Sequence, residues 1–172
     1  IARIDNGDLM VPPSRLEEQL KFLERNKDYA IVGGKHEIVD GINGLWFRDK
    51  MSKLADSDLR RISSYKTLFC HVTVMFRKSA YTSVGGYNEN FYTGQDTELW
   101  PRILRAGKGC VAPRIYAVVR MVPESISVSG NNQQIKAARK RMVQKIKRKE
   151  ISLVKGGGAL LSFSFKMSIP LK

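Results

Sequence analysis

Ala2-Arg3-Ile4-Asp5-Asn6-Gly7-Asp8 is the stretch on which the reading of this chain turns. Residues 1–5 read as the end of a buried strand that runs into an acidic turn. Asn6-Gly7 favours the positive backbone angles of a tight turn. Acids just past the carboxyl end of a buried strand stand where open α/β sheets bind ligands. Two carboxylates there, Asp5 and Asp8, suit a hard divalent cation, which in turn holds a diphosphate. An ordinary Asp-Asn-Gly turn with a solvated Asp8 has the same sequence, so the turn by itself decides nothing.

Working outward, Pro12-Pro13-Ser14 opens a helix, with Ser14 as N-cap and Glu17 three residues on as its capping-box partner. Leu16, Leu20 and Leu23 follow at helical spacing beside Phe22, so this helix is expected to pack on a core. Residues 29–33 read as a short strand and 35–40 as another. Residues 41–49 are turn-rich, with Trp46 and Phe47 as an apolar anchor. Asp56 starts a short helix to residue 61. Residues 67–76, rich in Val, Thr and Phe, predict a strand that contains His71. A short helix over 78–84 stops at Gly85-Gly86, and 88–94 is a loop. Residues 96–106 predict a helix with Leu99, Ile103 and Leu104 on one face, kinked or started late by Pro101. Residues 110–112 and 115–122 read as strands, and 131–149 as a long basic helix ending before Gly156-Gly157-Gly158. Alternating strands and helices imply an α/β layer fold.

The 172 residues are enough for one domain, and 42% hydrophobic content is enough for a core. The formal charge is +14, from 30 Lys and Arg against 16 Asp and Glu. That favours anionic partners: a nucleotide, a phosphorylated lipid, a membrane surface or nucleic acid. The charge concentrates in residues 136–149. Cys70 and Cys110 lie in apolar runs without metal-like spacing, which argues against a disulfide framework. The apolar tract 156–171 is broken by Lys166, three serines and Pro170, too short and interrupted to span a bilayer. The sheet lacks strands at its start, so the chain is expected to begin in mid-fold, with N-terminal sequence missing.

The ordered set of landmarks is more specific than any one of them. Asp5-Asn6-Gly7-Asp8 is followed by Pro13-Ser14-Arg15-Leu16-Glu17-Glu18-Gln19, Phe22-Leu23 and Ile31-Val32-Gly33-Gly34. Then come His71-Val72-Thr73-Val74-Met75-Phe76-Arg77, Gly85-Gly86-Tyr87, Gly94-Gln95-Asp96 and Leu99-Trp100 with Arg102. This order, over residues 1 to about 128, closely resembles the inverting family 2 glycosyltransferases of GT-A fold.

The resemblance implies sugar transfer from a nucleotide-diphosphate donor to a glycan or lipid-linked acceptor, in cell-surface polysaccharide synthesis. The acidic turn matches the family's DxD metal motif, for manganese or magnesium. The match departs at Gly7, which pushes the second acid to Asp8. Either Asp5 and Asp8 share the metal, the favoured reading, or Asp5 holds it with phosphate oxygens and water. Gly94-Gln95-Asp96 matches the family's acid-aspartate motif, which makes Asp96 the expected catalytic base. Gln95 replaces an acid there and bears on acceptor binding. The family often has a histidine where His71 stands, an expected acceptor or phosphate contact. Arg3 is expected to touch the donor phosphate. Trp46 is the expected platform for an acceptor sugar, and Trp100 is read as core.

By this resemblance residues 1–128 are read as the C-terminal part of an incomplete α/β GT-A domain that lacks its N-terminal nucleotide-binding half. Residues 129–172 are read as a basic amphipathic helix and apolar tail suited to an anionic membrane surface. The expected location is cytoplasmic, peripheral on the inner face of the plasma membrane. The 172-residue chain by itself is expected to be inactive. Two alternatives come from other classes: a basic nucleic-acid-binding module, and a non-catalytic fragment. The first lacks a familiar binding motif and leaves the acidic turn without a task, so no nucleic acid is expected.

Overall fold

The computed structural model describes residues 1–40, 45–49, 54–62, 68–91, 94–121 and 151–154. In chain order the elements are β1 (Leu9–Met10), α1 (Arg15–Arg25), β2 (Tyr29–Asp40), β3 (Leu45–Asp49), α2 (Asp56–Ile62), a 3₁₀ turn (His71–Thr73), β4 (Met75–Phe76), α3 (Lys78–Ser83), α4 (Gln95–Ala106), β5 (Lys108–Met121) and β6 (Ile151–Val154). They form two compact units: Ile1–Glu37 with Met51–Arg120, and Ile38–Lys50 with Met121–Lys172.

In the first unit β5 lies between β1 and β2, and β4 also pairs with β2. The β1–β5 ladder is antiparallel, Leu9 opposite Val118 and Met10 opposite Ala117. The β2–β4 ladder is antiparallel too, with Ile31 opposite Phe76 and Val32 opposite Met75. Successive strand residues face opposite sides of a sheet, and the core follows that rule. Ile31, Phe76 and Val111 join a large cluster with Leu59 of α2, Ala80 of α3 and Leu99, Trp100, Ile103 and Leu104 of α4. Their neighbours Val32, Met75 and Cys110 join a smaller one with Leu23 of α1, against which Phe22 packs. Helix α1 therefore covers one face of the sheet, and α2, α3 and α4 the other. This is the α/β layering expected from the sequence.

The second unit contains an antiparallel ladder between β3 and β6, with Trp46 opposite Val154 and Asp49 opposite Ile151. Residues 45–49, read as turn-rich from their sequence, become a strand because 151–154 supplies a partner far along the chain. The predicted basic helix, 131–149, lies outside the described residues.

Several local expectations change. Leu16 and Leu20 do not pack on the core; they are 41% and 51% exposed. The buried stripe of α1 is Arg15, Gln19 and Leu23, one position away. The expected capping box is absent. Ser14 already has helical backbone angles and its hydroxyl donates to Glu18 instead, at 2.7 Å. Residues 35–40 are no separate strand but the continuation of β2, and 108–121 form one strand rather than two. The predicted strand over 67–76 survives only at Met75–Phe76, because a 3₁₀ turn at His71–Thr73 interrupts it. Helix α4 runs through Pro101. The missing N–H costs one helical bond, offset by four buried side chains: Leu99, Trp100, Ile103 and Leu104.

Candidate active site

The acidic turn is made, but the buried strand expected before it over residues 1–5 is not: Ala2 makes only an isolated bridge to Met75, and Ile1 and Ile4 are exposed. Gly7 has φ of 87°, in the region a side chain disfavours, and the Asp8 N–H donates to Asp5 O at 3.2 Å. The preceding residues are tied beside β4: Arg3 N–H donates to Val74 O at 3.1 Å, and Phe76 N–H to Ile1 O at 2.9 Å. The turn therefore stands beside the 3₁₀ turn that begins at His71.

His71 and Arg3 converge on Asp5. His71 Nδ1 faces Asp5 Oδ2 across 3.6 Å, long for a hydrogen bond, and Arg3 Nη2 donates to Asp5 Oδ1 at 3.2 Å. The imidazole first, and the guanidinium with it, hold the Asp5 carboxyl below its ordinary pKa against the opposing effect of burial. Asp8 is pushed the other way. Burial raises it and the neighbouring Asp5 charge adds to this, although the Arg120 N–H donates to its Oδ1 at 2.9 Å.

On its other side His71 meets Tyr87. Tyr87 Oη lies 2.8 Å from His71 Nε2, and Arg3 Nε donates to the same nitrogen at 3.2 Å. Tyr87 is delivered there by the turn that ends α3. Gly85 and Gly86 both have positive φ, 81° and 71°. A Cβ on Gly86 would lie 2.8 Å from Tyr81 Oη, so the close approach also requires glycine. Tyr81 holds the turn through its carbonyl to Gly86 N–H, 3.0 Å, and its hydroxyl to Tyr87 N–H, 3.3 Å. From α4, Arg102 donates to Val84 O at 2.6 Å while gripping Glu98 with two nitrogens. The helix that carries Asp96 is thereby fastened to the turn that carries Tyr87.

Gln95 is the first residue of α4, exposed, and Asp96 is the second, after Gly94 in a left-handed conformation. The Thr97 hydroxyl lies 3.4 Å from Asp96 Oδ1. Two groups feel these acids together. Burial raises Tyr87; Arg3 opposes this, and Tyr81, Asp96 and Asp5 reinforce it. Burial pushes the Cys70 thiol up to about 12, with Asp8, Asp96 and Asp5 adding to it. Such a thiol stays protonated and is no nucleophile. The three acids singled out in the sequence thus all act electrostatically on Cys70, although Asp96 is some ninety residues from the other two.

Beneath the turn lies a buried polar network that sequence reading missed. Arg15 is fully buried. It donates to Gln19 Oε1 (2.9 Å), Tyr116 O (3.2 Å), Arg3 O (3.0 Å) and Val74 O (3.3 Å). Gln19, also fully buried, donates to Val32 O (3.1 Å) and Thr73 O (2.9 Å). One helix face thus satisfies carbonyls where β2, β4, β5 and the N-terminal segment come together. The available signal was the Arg15–Gln19–Leu23 spacing of four, hidden by the adjacent, more apolar Leu16–Leu20 pair.

Among the described residues no group of three or more His, Cys, Asp or Glu side chains is arranged to hold a metal ion. The two carboxylates of the turn fit only a hard cation that draws its other ligands from substrate and water, as magnesium commonly does. His71 sits on a 3₁₀ turn rather than in a strand, in contact with Arg3, Asp5 and Tyr87. Trp100 is buried against Phe69, Phe76 and His71, a core residue as expected. The backbone of Trp46 belongs to β3, in the second unit; its side chain lies outside the described residues.

Comparison with known proteins points to glycosyltransferases. No family model matches the chain. EpsE of Bacillus subtilis, a protein named as a glycosyltransferase, is 35% identical over 111 residues, covering 62% of this chain and 37% of EpsE. The O-antigen biosynthesis glycosyltransferase WbnJ of Escherichia coli is 32% identical over 104 residues, 60% of this chain and 39% of WbnJ. An uncharacterized glycosyltransferase of Haemophilus influenzae is 28% identical over 108 residues, 62% of this chain and 39% of that protein. The chain thus spans less than two-fifths of the length of the curated relatives it matches.

Proposed function

We propose that this chain carries the acceptor side of an inverting glycosyltransferase of the GT-A type, acting in polysaccharide synthesis. The donor is a nucleotide-diphosphate sugar and the acceptor a glycan or lipid-linked glycan. The observation that carries the reading is the meeting of His71 and Arg3 on Asp5 at the acidic turn, with Asp8 and Asp96 both acting electrostatically on the nearby Cys70 thiol. The similarity to named glycosyltransferases supports it.

In this reading Asp96 is the base. Its carboxylate takes the proton from the acceptor hydroxyl while that oxygen attacks the anomeric carbon from the side opposite the diphosphate. Arg3 binds the diphosphate, a task suited to a guanidinium fork. His71 and Gln95 contact the acceptor. Asp5 and Asp8 hold a divalent cation, manganese or magnesium, whose chemistry is to neutralise charge on the departing nucleoside diphosphate. Among the described residues no helix is long and apolar enough to cross a membrane. The basic stretch 136–149 is proposed to rest on an anionic membrane surface, which brings the site to a lipid-linked acceptor.

The test is Asp96→Asn in the complete protein. Transfer is expected to fall by at least about a thousandfold, with donor binding near that of the wild type. Turnover within tenfold of wild type would remove Asp96 from the role of base.

A further inference from the structure

Nε2 of His71 is claimed twice. A guanidinium has donors and no acceptor, so the Arg3 Nε–H at 3.2 Å requires a lone pair on Nε2. The arrangement therefore assigns the ring proton to Nδ1, the nitrogen that faces Asp5 Oδ2. The Tyr87 hydroxyl, 2.8 Å from Nε2, is then also a donor to it. An imidazole nitrogen in the ring plane offers one lone pair, and two donors compete for it.

The competitors are held differently. Tyr87 makes the shorter contact. It is fixed by the Gly85–Gly86 turn, by the Tyr81 hydroxyl on its N–H and by its ring packed edge-on against Tyr81 at 5.6 Å. The Arg3 side chain is 37% exposed, and its other charged partner is Asp5. Arg3 is the one able to leave. Its departure would cost His71 no hydrogen bond, because Tyr87 remains, and would release Oδ1 of Asp5.

We infer that Arg3 is a detachable donor, parked on His71 and Asp5, and that Tyr87 is the positioning residue that takes over His71 Nε2 when Arg3 turns to a diphosphate. The inference rests on the reading of this site as a diphosphate site. It adds Tyr87 to the residues that set affinity for the anion, without contact between Tyr87 and the anion. It also gives the release of an Asp5 oxygen and the capture of phosphate a common cause. Guanidinium–phosphate pairs are strong enough to drive the exchange.

The test uses the complete protein and inorganic pyrophosphate with manganese, followed by titration calorimetry. Arg3→Gln is expected to weaken binding about tenfold, as for loss of one charge-assisted contact. Tyr87→Phe is expected to weaken it about fivefold, the worth of one hydrogen bond. The double variant is expected to bind no more weakly than Arg3→Gln, since without Arg3 there is nothing to exchange. A purely structural role for Tyr87 would give additive losses. Tyr81→Phe controls for packing, because it loosens the Tyr87 backbone but keeps the Tyr87 hydroxyl. Tyr87→Phe binding like wild type, additive losses, or equal weakening by Tyr81→Phe would each overturn the exchange while leaving the diphosphate reading intact. No pyrophosphate binding by the wild type would instead remove the diphosphate reading, and the exchange with it.

Discussion

Arg3 and Arg15 are joined through a single carbonyl, that of Arg3, and they put the same side chain to opposite uses. Arg15 is sealed in the interior, with no carboxylate among its partners in the described residues, and spends its donors on three backbone carbonyls and Gln19. Arg3 is partly exposed and touches a carboxylate and an imidazole. Burying a cation is costly unless its donors are satisfied. A buried arginine is therefore committed to one geometry, and any movement strands several polar groups at once. A half-exposed arginine can exchange partners with water or phosphate at little cost. The first builds the site, and the second is available to act in it.

The largest effect expected from breaking this contrast belongs to Arg15→Met. It removes one donor from three backbone carbonyls and from Gln19 Oε1, with Val74 O and Tyr116 O keeping the Arg3 and Val11 N–H groups, and should cost about 3 kcal/mol in urea-unfolding equilibria. Arg15→Lys should recover only part of that loss, because an ammonium lacks the planar fork. A loss below about 1 kcal/mol for the methionine variant would mean that water or a rotated neighbour replaces the guanidinium. Arg3→Gln should change stability by no more than about 0.5 kcal/mol, since exposed ion pairs contribute little. A cost matching that of Arg15→Met would erase the distinction between builder and actor.

The smallest effect sharpens the contrast within the turn itself. Asp5 has a lowered pKa, so its contribution to stability is present above the ordinary carboxylate range and is lost as pH falls through its folded value. Asp8 has a raised pKa, so the sign reverses: ionising it costs stability, and that cost disappears as pH falls. Asp8→Asn keeps an oxygen for the Arg120 N–H. It should stabilise the chain at neutral pH by about 0.5 kcal/mol or less, with no gain below the carboxylate range. Manganese-dependent nucleotide binding should nevertheless fall in that variant. A stability loss at neutral pH, seen in paired pH-dependent melts, would show that Asp8 serves the fold rather than a ligand.

The sequence was a good guide where the signal was local. Asn6-Gly7 marked the turn, Gly85-Gly86 marked the end of α3, and the spacing of Leu99, Ile103 and Leu104 marked the buried face of α4. It misled on α1 because periodicity weighs apolar character. Leu16 and Leu20 outscored Arg15 and Gln19, whose burial depends on carbonyls supplied by distant strands. It misled on residues 67–76 for a related reason: β-propensity there is high, but Thr73 bonds back to Cys70 through both its N–H, 3.0 Å, and its hydroxyl, 2.8 Å, closing a turn. Tyr87 went unnoticed as a site residue because nothing in Gly85-Gly86-Tyr87 announces that its hydroxyl meets His71.

The sequence by itself determined the acidic turn and the α/β alternation, because turn chemistry and hydrophobic period act over a few residues, and it singled out Asp5, Asp8 and Asp96 as candidates. Only the tertiary structure decided that His71 and Arg3 meet at Asp5, that Arg15 lies inside while Leu16 lies outside, and that Arg3 and Tyr87 compete for one nitrogen of His71. Those outcomes depend on which groups distant segments bring within about 3 Å, the reach of a hydrogen bond, and no local pattern encodes that distance.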